Sequence, residues 1–240
     1  MKLRKWLLRG VCFIILLTLA IGAAVCIAFG VEGYCMYREA LAKTPLAQRV
    51  QQVWEQPDFV PLSELPPIYI NAVIAVEDHR FFQHGGIDPI AIGRALWNDL
   101  KAMSPIEGGS TITQQLAKNL FFTQEKLLSR KAAEVFMAFA LERHYTKGQI
   151  LELYLNSIYF GSGYTGVGAA AKGYCGKEPK DMTDAQSTLL AGIPNAPSAY
   201  SPDENPELAI QRQRQVLRRM EECGYITPSQ AAALCMQPAV

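Results

Sequence analysis

Gly10 to Val31 is a run of 22 residues without a charged side chain, and it constrains the chain more than any other feature. As a helix it extends roughly 33 Å at about 1.5 Å per residue, enough to cross a hydrocarbon core of about 30 Å. Twelve of its residues are Val, Ile, Leu or Phe. At roughly −0.3 to −0.6 kcal/mol each they favour insertion by about 4–7 kcal/mol as an upper bound. Lys2, Arg4, Lys5 and Arg9 precede the run, so the N-terminus is expected inside and the remainder outside. A cleaved leader is the competing reading, with Ala28-Phe29-Gly30 as a tolerable cleavage site. Its apolar region is ordinarily about 7–15 residues, and the length of this run favours a retained anchor. Either way the remainder works outside the cytoplasm.

The net charge of +1 excludes a nucleic-acid partner, which would demand a strong basic excess. Of the six cysteines, Cys12 and Cys26 lie in the apolar run. Cys35, Cys175, Cys223 and Cys235 show neither a C-x-x-C pair nor metal spacing, and a disulfide among them stays open.

Five segments are expected: a basic N-terminus at 1–9, a transmembrane helix at 10–31, a connector at 32–59, the main domain at 60–222 and a helical tail at 223–240. The Pro-rich "EQPDFVPLSELPP" predicts an extended entry into the domain. From Ile68 onward the signals are helical. Thr146…Gln149, Thr183…Gln186 and Thr227…Gln230 have the spacing of capping boxes. Pro206 opens a helix that Gly224 is placed to end. "PNAPSAYSPDENP" reads as an irregular loop. Alternating strand patterns and internal repeats are scarce, so the domain reads as mainly α-helical.

Chemistry is concentrated in three clusters. Glu77 and Asp78 end the apolar stretch "INAVIAV". A carboxylate at such a border is partly desolvated, which makes it a better proton acceptor near neutral pH. The bland alternative is a helix end paired with Arg80. The loop "EGGSTITQQLAKN" follows. Gly108 and Gly109 allow close backbone approach, and Ser110 or Thr111 can cap the next helix. Its free N–H groups suit an anion such as phosphate. The third cluster is Arg130, Lys131 and Glu134, spaced for pairing on one helix face. Between the last two, "NLFFTQEKLL" is either core or a segment dipping into a membrane interface, where Lys126 would anchor it. No zinc spacing, G-x-S-x-G or dinucleotide loop occurs.

Taken together and in this order, the clusters resemble the motifs of the family 51 peptidoglycan glycosyltransferases of the monofunctional, membrane-anchored kind. Glu77-Asp78-x-x-Phe81-x-x-His84-x-Gly86 resembles the first motif and Gly109-Ser110-Thr111-Ile112-Thr113-Gln114-Gln115 the second. Arg130-Lys131-x-x-Glu134 resembles the third. Lys147-x-x-Ile150-Leu151-Glu152-x-Tyr154-Leu155-Asn156 resembles the fourth, and Arg212-x-x-x-Val216-Leu217 the fifth. Cys175 stands where the family usually has Phe, and Gln211 where a second basic residue is common.

The resemblance implies a lysozyme-like, mainly α-helical domain with a small membrane-facing lobe, in a single-pass protein of the bacterial cytoplasmic membrane with its catalytic domain outside. It implies polymerisation of lipid II onto a lipid-linked glycan strand, with inversion at MurNAc C1. Glu77 would be the general base. Glu134 would be the second catalytic carboxylate, orienting cations or holding a divalent cation, magnesium or manganese. Asp78, Phe81, His84, Gly109, Ser110, Thr111, Gln114, Gln115, Lys118, Arg130, Lys131 and Asn156 would bind substrate. About 20 residues follow position 220, too few for a transpeptidase domain, so separate transpeptidases are the implied partners, with membrane lipid around the anchor. A glycan-cleaving enzyme and a non-catalytic envelope scaffold are the rival readings. Cleaving enzymes of this class lack the paired second and third motifs.

Overall fold

The computed structural model describes residues 2–102, 108–123 and 127–239. Lys126, expected at a membrane surface, lies outside them. The first helix, α1, runs unbroken over Lys2–Lys43 and contains the whole apolar run. It is long and apolar enough to cross a membrane, and none of its most apolar stretch is buried against the rest of the chain. The stretch expected as a connector is largely helical. It holds the end of α1 and then α2, Leu46–Trp54, and is extended mainly in the Pro-rich part that follows. The reason lies in packing. Beyond Val31 the helix gains a partner in α6, Leu128–His144. Gly33 brings the two backbones together, since a Cβ there would stand 2.5 Å from Ala132 Cβ and 2.7 Å from the Ser129 carbonyl oxygen. Tyr34 and Tyr37 then stack on Phe136, with ring centroids 5.4 and 6.1 Å away.

Helix α3, Pro67–Glu77, is apolar on nearly every face and is correspondingly buried, with Tyr69, Ala72, Val73, Ile74 and Ala75 all closed to solvent. It lies against α9, Asp184–Leu190, and α11, Pro206–Glu222. Helix α5, Ile112–Phe121, packs on α6 and on α7, Lys147–Ser157. The remaining helices are α4, Pro89–Ala102; α8, Val167–Cys175; α10, Pro197–Tyr200; and α12, Pro228–Cys235. One large core, including Tyr69, Phe81, Leu116, Met137, Tyr154 and Phe160, joins these layers. No strand occurs among the described residues, where the single isolated bridge pairs Tyr159 with Thr165. The mainly α expectation is met.

Local chemistry explains the helix starts. Thr146, Thr183 and Thr227 each cap a helix in a reciprocal capping box with the Gln three residues on. Gly224 follows α11 with φ +76°, a conformation that favours glycine. The proline-rich loop departs from expectation, because Pro197 opens the single-turn α10. A proline's missing N–H costs nothing in a first turn. The cysteines are all free. Helix α4 turns Ile90, Leu96 and Trp97 outward, each about 60% exposed, and Leu128 at the start of α6 is 68% exposed. "NLFFTQEKLL" divides between the two readings: Leu120 is buried, whereas Leu127 and Leu128 face outward.

Candidate active site

Glu77 is the last residue of α3, so its backbone is fixed by the buried helix while its side chain leaves the core. Oε2 accepts a hydrogen bond from Gln115 Nε2 at 2.8 Å. Gln115 Oε1 in turn accepts from the buried Tyr154 hydroxyl at 3.2 Å. Oε1 of Glu77 is enclosed and has no hydrogen-bond partner. Burial raises the acid's pKa, and the Gln115 bond, Arg212 and Lys118 only partly counter it. An unpartnered buried carboxylate oxygen is costly unless something arrives to use it.

Lys118 lies one helical turn beyond Gln114 on α5. Its ammonium is half-buried and held below the usual lysine range, first by burial and then by Arg130 and Lys131; Glu134 and Glu77 oppose this. Both carboxylates thus act on its charge. On α6, Glu134 is buried. Its Oε2 accepts from Lys131 Nζ at 2.9 Å, and its Oε1 lies 3.4 Å from Arg130 Nε. Lys131 also donates to Ser110 Oγ at 2.7 Å, and Arg130 to the Thr123 carbonyl at 3.1 Å. The structure thus brings Glu77 and Gln115 near Lys118, and Lys118 near Arg130, Lys131 and Glu134: a poorly solvated carboxylate acted on by Lys118 and Arg212, and a second carboxylate that steadies the two α6 cations.

Several of the residues expected to bind substrate also make contacts within the protein. Asp78 binds the protein itself. Oδ2 accepts from the Ile112 N–H at 3.1 Å, and Oδ1 meets His84 Nε2 at 2.9 Å. The helix start read as a phosphate seat is therefore occupied by the chain's own carboxylate, an anion where the dipole favours one. His84 is spent on Asp78 and on the Gly85 carbonyl. Thr111 caps α5 reciprocally with Gln114 and donates to the Gly86 carbonyl at 2.8 Å. Phe81 is fully buried beneath Lys147, whose Nζ lies 4.2 Å from its ring centre. Asn156 is buried, and its amide clamps the extended entry segment through the Val60 N–H and carbonyl, at 2.8 and 2.9 Å. These residues hold the site's walls, and Asp78 and Gln114 also line its cavities. Arg80 pairs with Asp88 at 2.9 Å rather than with Glu77 or Asp78.

Glu134 does not fit a divalent cation. Its carboxylate is taken by two cations. Among the described residues the three-ligand group with atoms within 4.8 Å is Asp78, His84 and Asp88, without Glu134. That group is itself consumed by Arg80 and by backbone N–H groups. Glu134 is left to orient Arg130 and Lys131.

Three cavities surround the cluster. One of about 340 Å³ is lined by Glu77, His79, Arg94, Asn195, Arg212 and Arg219. A second, of about 410 Å³, is lined by Gln115, Lys118, Asn119, Tyr154, Tyr159 and Asn195. Asn195 borders both, so the Glu77–Gln115 pair stands between a mainly polar hollow and a mixed one. A third, of about 370 Å³, joins Gly109, Ser110 and Lys131 to the apolar Ile92 and Leu96. Arg94, Arg219 and Asn195 carried no sequence signal, because they come from α4, α11 and a turn far apart in the chain. Arg212 was legible only as part of the fifth motif. Burial, Arg94 and Arg219 together hold the His79 imidazole below its usual pKa.

Residues 43–221 match the family model described as Transglycosylase. Penicillin-binding protein 1A of Aquifex aeolicus is 50% identical over 172 residues, 72% of this chain and 24% of that protein. Penicillin-binding protein 1F of Bacillus subtilis is 48% identical over the same length, with the same coverage of each chain. A crystal structure of Penicillin-Binding Protein 1A from Haemophilus influenzae aligns at TM-score 0.45 and 24% identity, over 76% of this chain and 18% of that one. The chain spans about a quarter of the length of the curated relatives it matches.

Proposed function

This chain belongs to the transglycosylase family, and from that premise we propose that it polymerises lipid II into β-1,4-linked peptidoglycan strands at the outer face of the bacterial cytoplasmic membrane. Helix α1 anchors it there with the N-terminus inside. The carrying observation is the enclosed, unpartnered Oε1 of Glu77, acted on by Lys118 and Arg212, with Lys118 in turn near the α6 cations.

Glu77 Oε1 accepts the proton of the GlcNAc 4-hydroxyl of an incoming lipid II. The freed electron pair forms a bond to C1 of the lipid-linked MurNAc from the side opposite its pyrophosphate. The C1–O bond to undecaprenyl pyrophosphate breaks, and the anomeric centre inverts from α to β. The leaving group is already a stable anion, so it requires compensation of charge more than a proton. Lys118, Arg130 and Lys131 provide this in a partly desolvated setting where charge interactions are strong. Gln115 and Tyr154 orient Glu77. The two hollows on either side of Glu77 and Gln115 suit an acceptor and a donor sugar, and the cavity at Ser110 and Lys131 suits the junction of phosphate and prenyl chain.

The test is purified full chain with labelled lipid II in detergent. Polymer from the wild type and none from Glu77→Gln is the expected result. Shortening of preformed glycan would instead make the protein a cleaving enzyme, and binding without turnover would make it a scaffold.

A further inference from the structure

A cavity of about 610 Å³ lies apart from the catalytic cluster, between the outer end of α1 and α6. The two helices rise together: Gly33 meets Ser129 and Ala132, Tyr34 and Tyr37 meet Phe136, and residues 38–42 face 139–144 across the hollow. Its floor is aromatic, from Tyr34, Tyr37, Phe136 and a half-exposed Phe139. Its polar lining is basic, with the two guanidinium groups of Arg38 and Arg143 beside His144, and no carboxylate lines it. Glu142, the acid nearest in sequence to Arg143, is engaged by Lys147 and Thr113.

Position along α1 fixes its depth. Tyr34 is three residues past Val31, or about 4.5 Å beyond the apolar run at about 1.5 Å per residue. Helical side chains point back toward the helix N-terminus. Arg38 does so: its guanidinium donates to the Tyr34 hydroxyl at 3.2 Å and stands 6.0 Å from that ring's centre. Its charge is therefore delivered to the level of Tyr34, where the phosphates of the bilayer lie. Aromatic rings with a basic rim at this height match a phospholipid's glycerol and phosphate.

We propose that this groove is a binding site for one anionic phospholipid of the surrounding bilayer. Its phosphodiester is held between Arg38 and Arg143, and its upper acyl segment lies against Tyr34, Phe136 and Phe139. The site is separate from the one that processes substrate, and its occupant is a resident lipid that seats α1 against α6.

The experiment uses the full chain in vesicles of phosphatidylcholine with one third phosphatidylglycerol and no lipid II. Co-purified lipid is counted by native mass spectrometry as a ratio of the two classes. Wild type is expected to raise the ratio of phosphatidylglycerol to phosphatidylcholine about tenfold over that of the bilayer. The double variant R38A/R143A should fall to the bulk ratio. Ala140→Trp, which fills the groove and keeps both cations, should fall likewise. Lys180→Ala, an exposed cation elsewhere, should keep the wild-type enrichment, with melting curves confirming that each variant is folded. No enrichment in the wild type, or equal enrichment in R38A/R143A, overturns the proposal. Retention by A140W would reduce the groove to a diffuse surface charge and overturn it too. A wild-type dimer that the double variant loses would assign the groove to a second copy instead.

Discussion

The end of α3 and the first turns of α6 each bury a glutamate, and the two are built differently. Glu134 has Lys131 at 2.9 Å and Arg130 at 3.4 Å. Glu77 has one amide at 2.8 Å and an oxygen with no partner. A carboxylate clasped by two cations is placed to organise positive charge. A carboxylate kept from water, with cations near but not upon it, can take a proton and release it. The same side chain yields a scaffold for charge in one corner and an acceptor in the other because of what stands within 3.5 Å.

The sharpest way to break this comparison is Glu77→Gln, which preserves shape and removes basicity. Turnover of lipid II should fall about 10³-fold, within the range for loss of a general base. Stability should move oppositely. The folded pKa of Glu77 is raised, so the folded state binds more protons than the unfolded state. The penalty of ionising it is absent below the unfolded glutamate range and develops as pH rises through the folded value. Glu77→Gln should therefore gain melting temperature over wild type as pH rises across that window. A loss of stability at neutral pH would contradict the desolvated reading.

Next in size, Glu134→Gln should cut turnover roughly 10–100-fold by freeing Arg130 and Lys131, and it should also destabilise. Removing one partner of a buried pair costs about 3–5 kcal/mol, discounted to about 2 kcal/mol because Lys131 is 44% exposed. Denaturant titration with the turnover assay checks both effects, and the opposite stability signs of the two glutamines separate the two corners. Gln115→Leu is gentler. Removing the hydrogen bond that lowers the Glu77 pKa should move the acidic limb of the pH–rate profile to higher pH, with a loss of about tenfold at neutral pH. A rate reduced evenly at all pH values would give Gln115 a purely structural role. The smallest effect belongs to Thr183→Ala, remote from both glutamates. It should cost about 1 kcal/mol as a lost helix cap and leave turnover per folded molecule unchanged.

The elements that sequence made legible have local causes. Each capping box is read from residues three apart, and the apolar run from its own length. Glu77 and the α6 triad were legible because each lies at the end or on one face of a single helix. What escaped reading depends on the rest of the chain. Nothing near Asp78 says that its carboxylate will turn to the N–H of Ile112, 34 residues on. Asn156 likewise serves Val60, 96 residues away. The motif pattern marked both for the site, yet each is needed by the backbone. Arg94 and Arg219 were missed for the converse reason, since one arginine on α4 and one of four on α11 share no pattern until the fold brings them to one cavity.

The unbroken passage of α1 into the packed domain has a mechanical consequence. A spanning helix responds to bilayer thickness by changing its tilt. With Gly33 seated on Ser129 and Ala132, there is no slack joint to absorb that rotation before it reaches the helix bearing Arg130 and Lys131. On the membrane placement proposed above, local thinning or thickening of the bilayer would swing this helix with the rod, so that membrane thickness would reach the residues we propose to act on substrate.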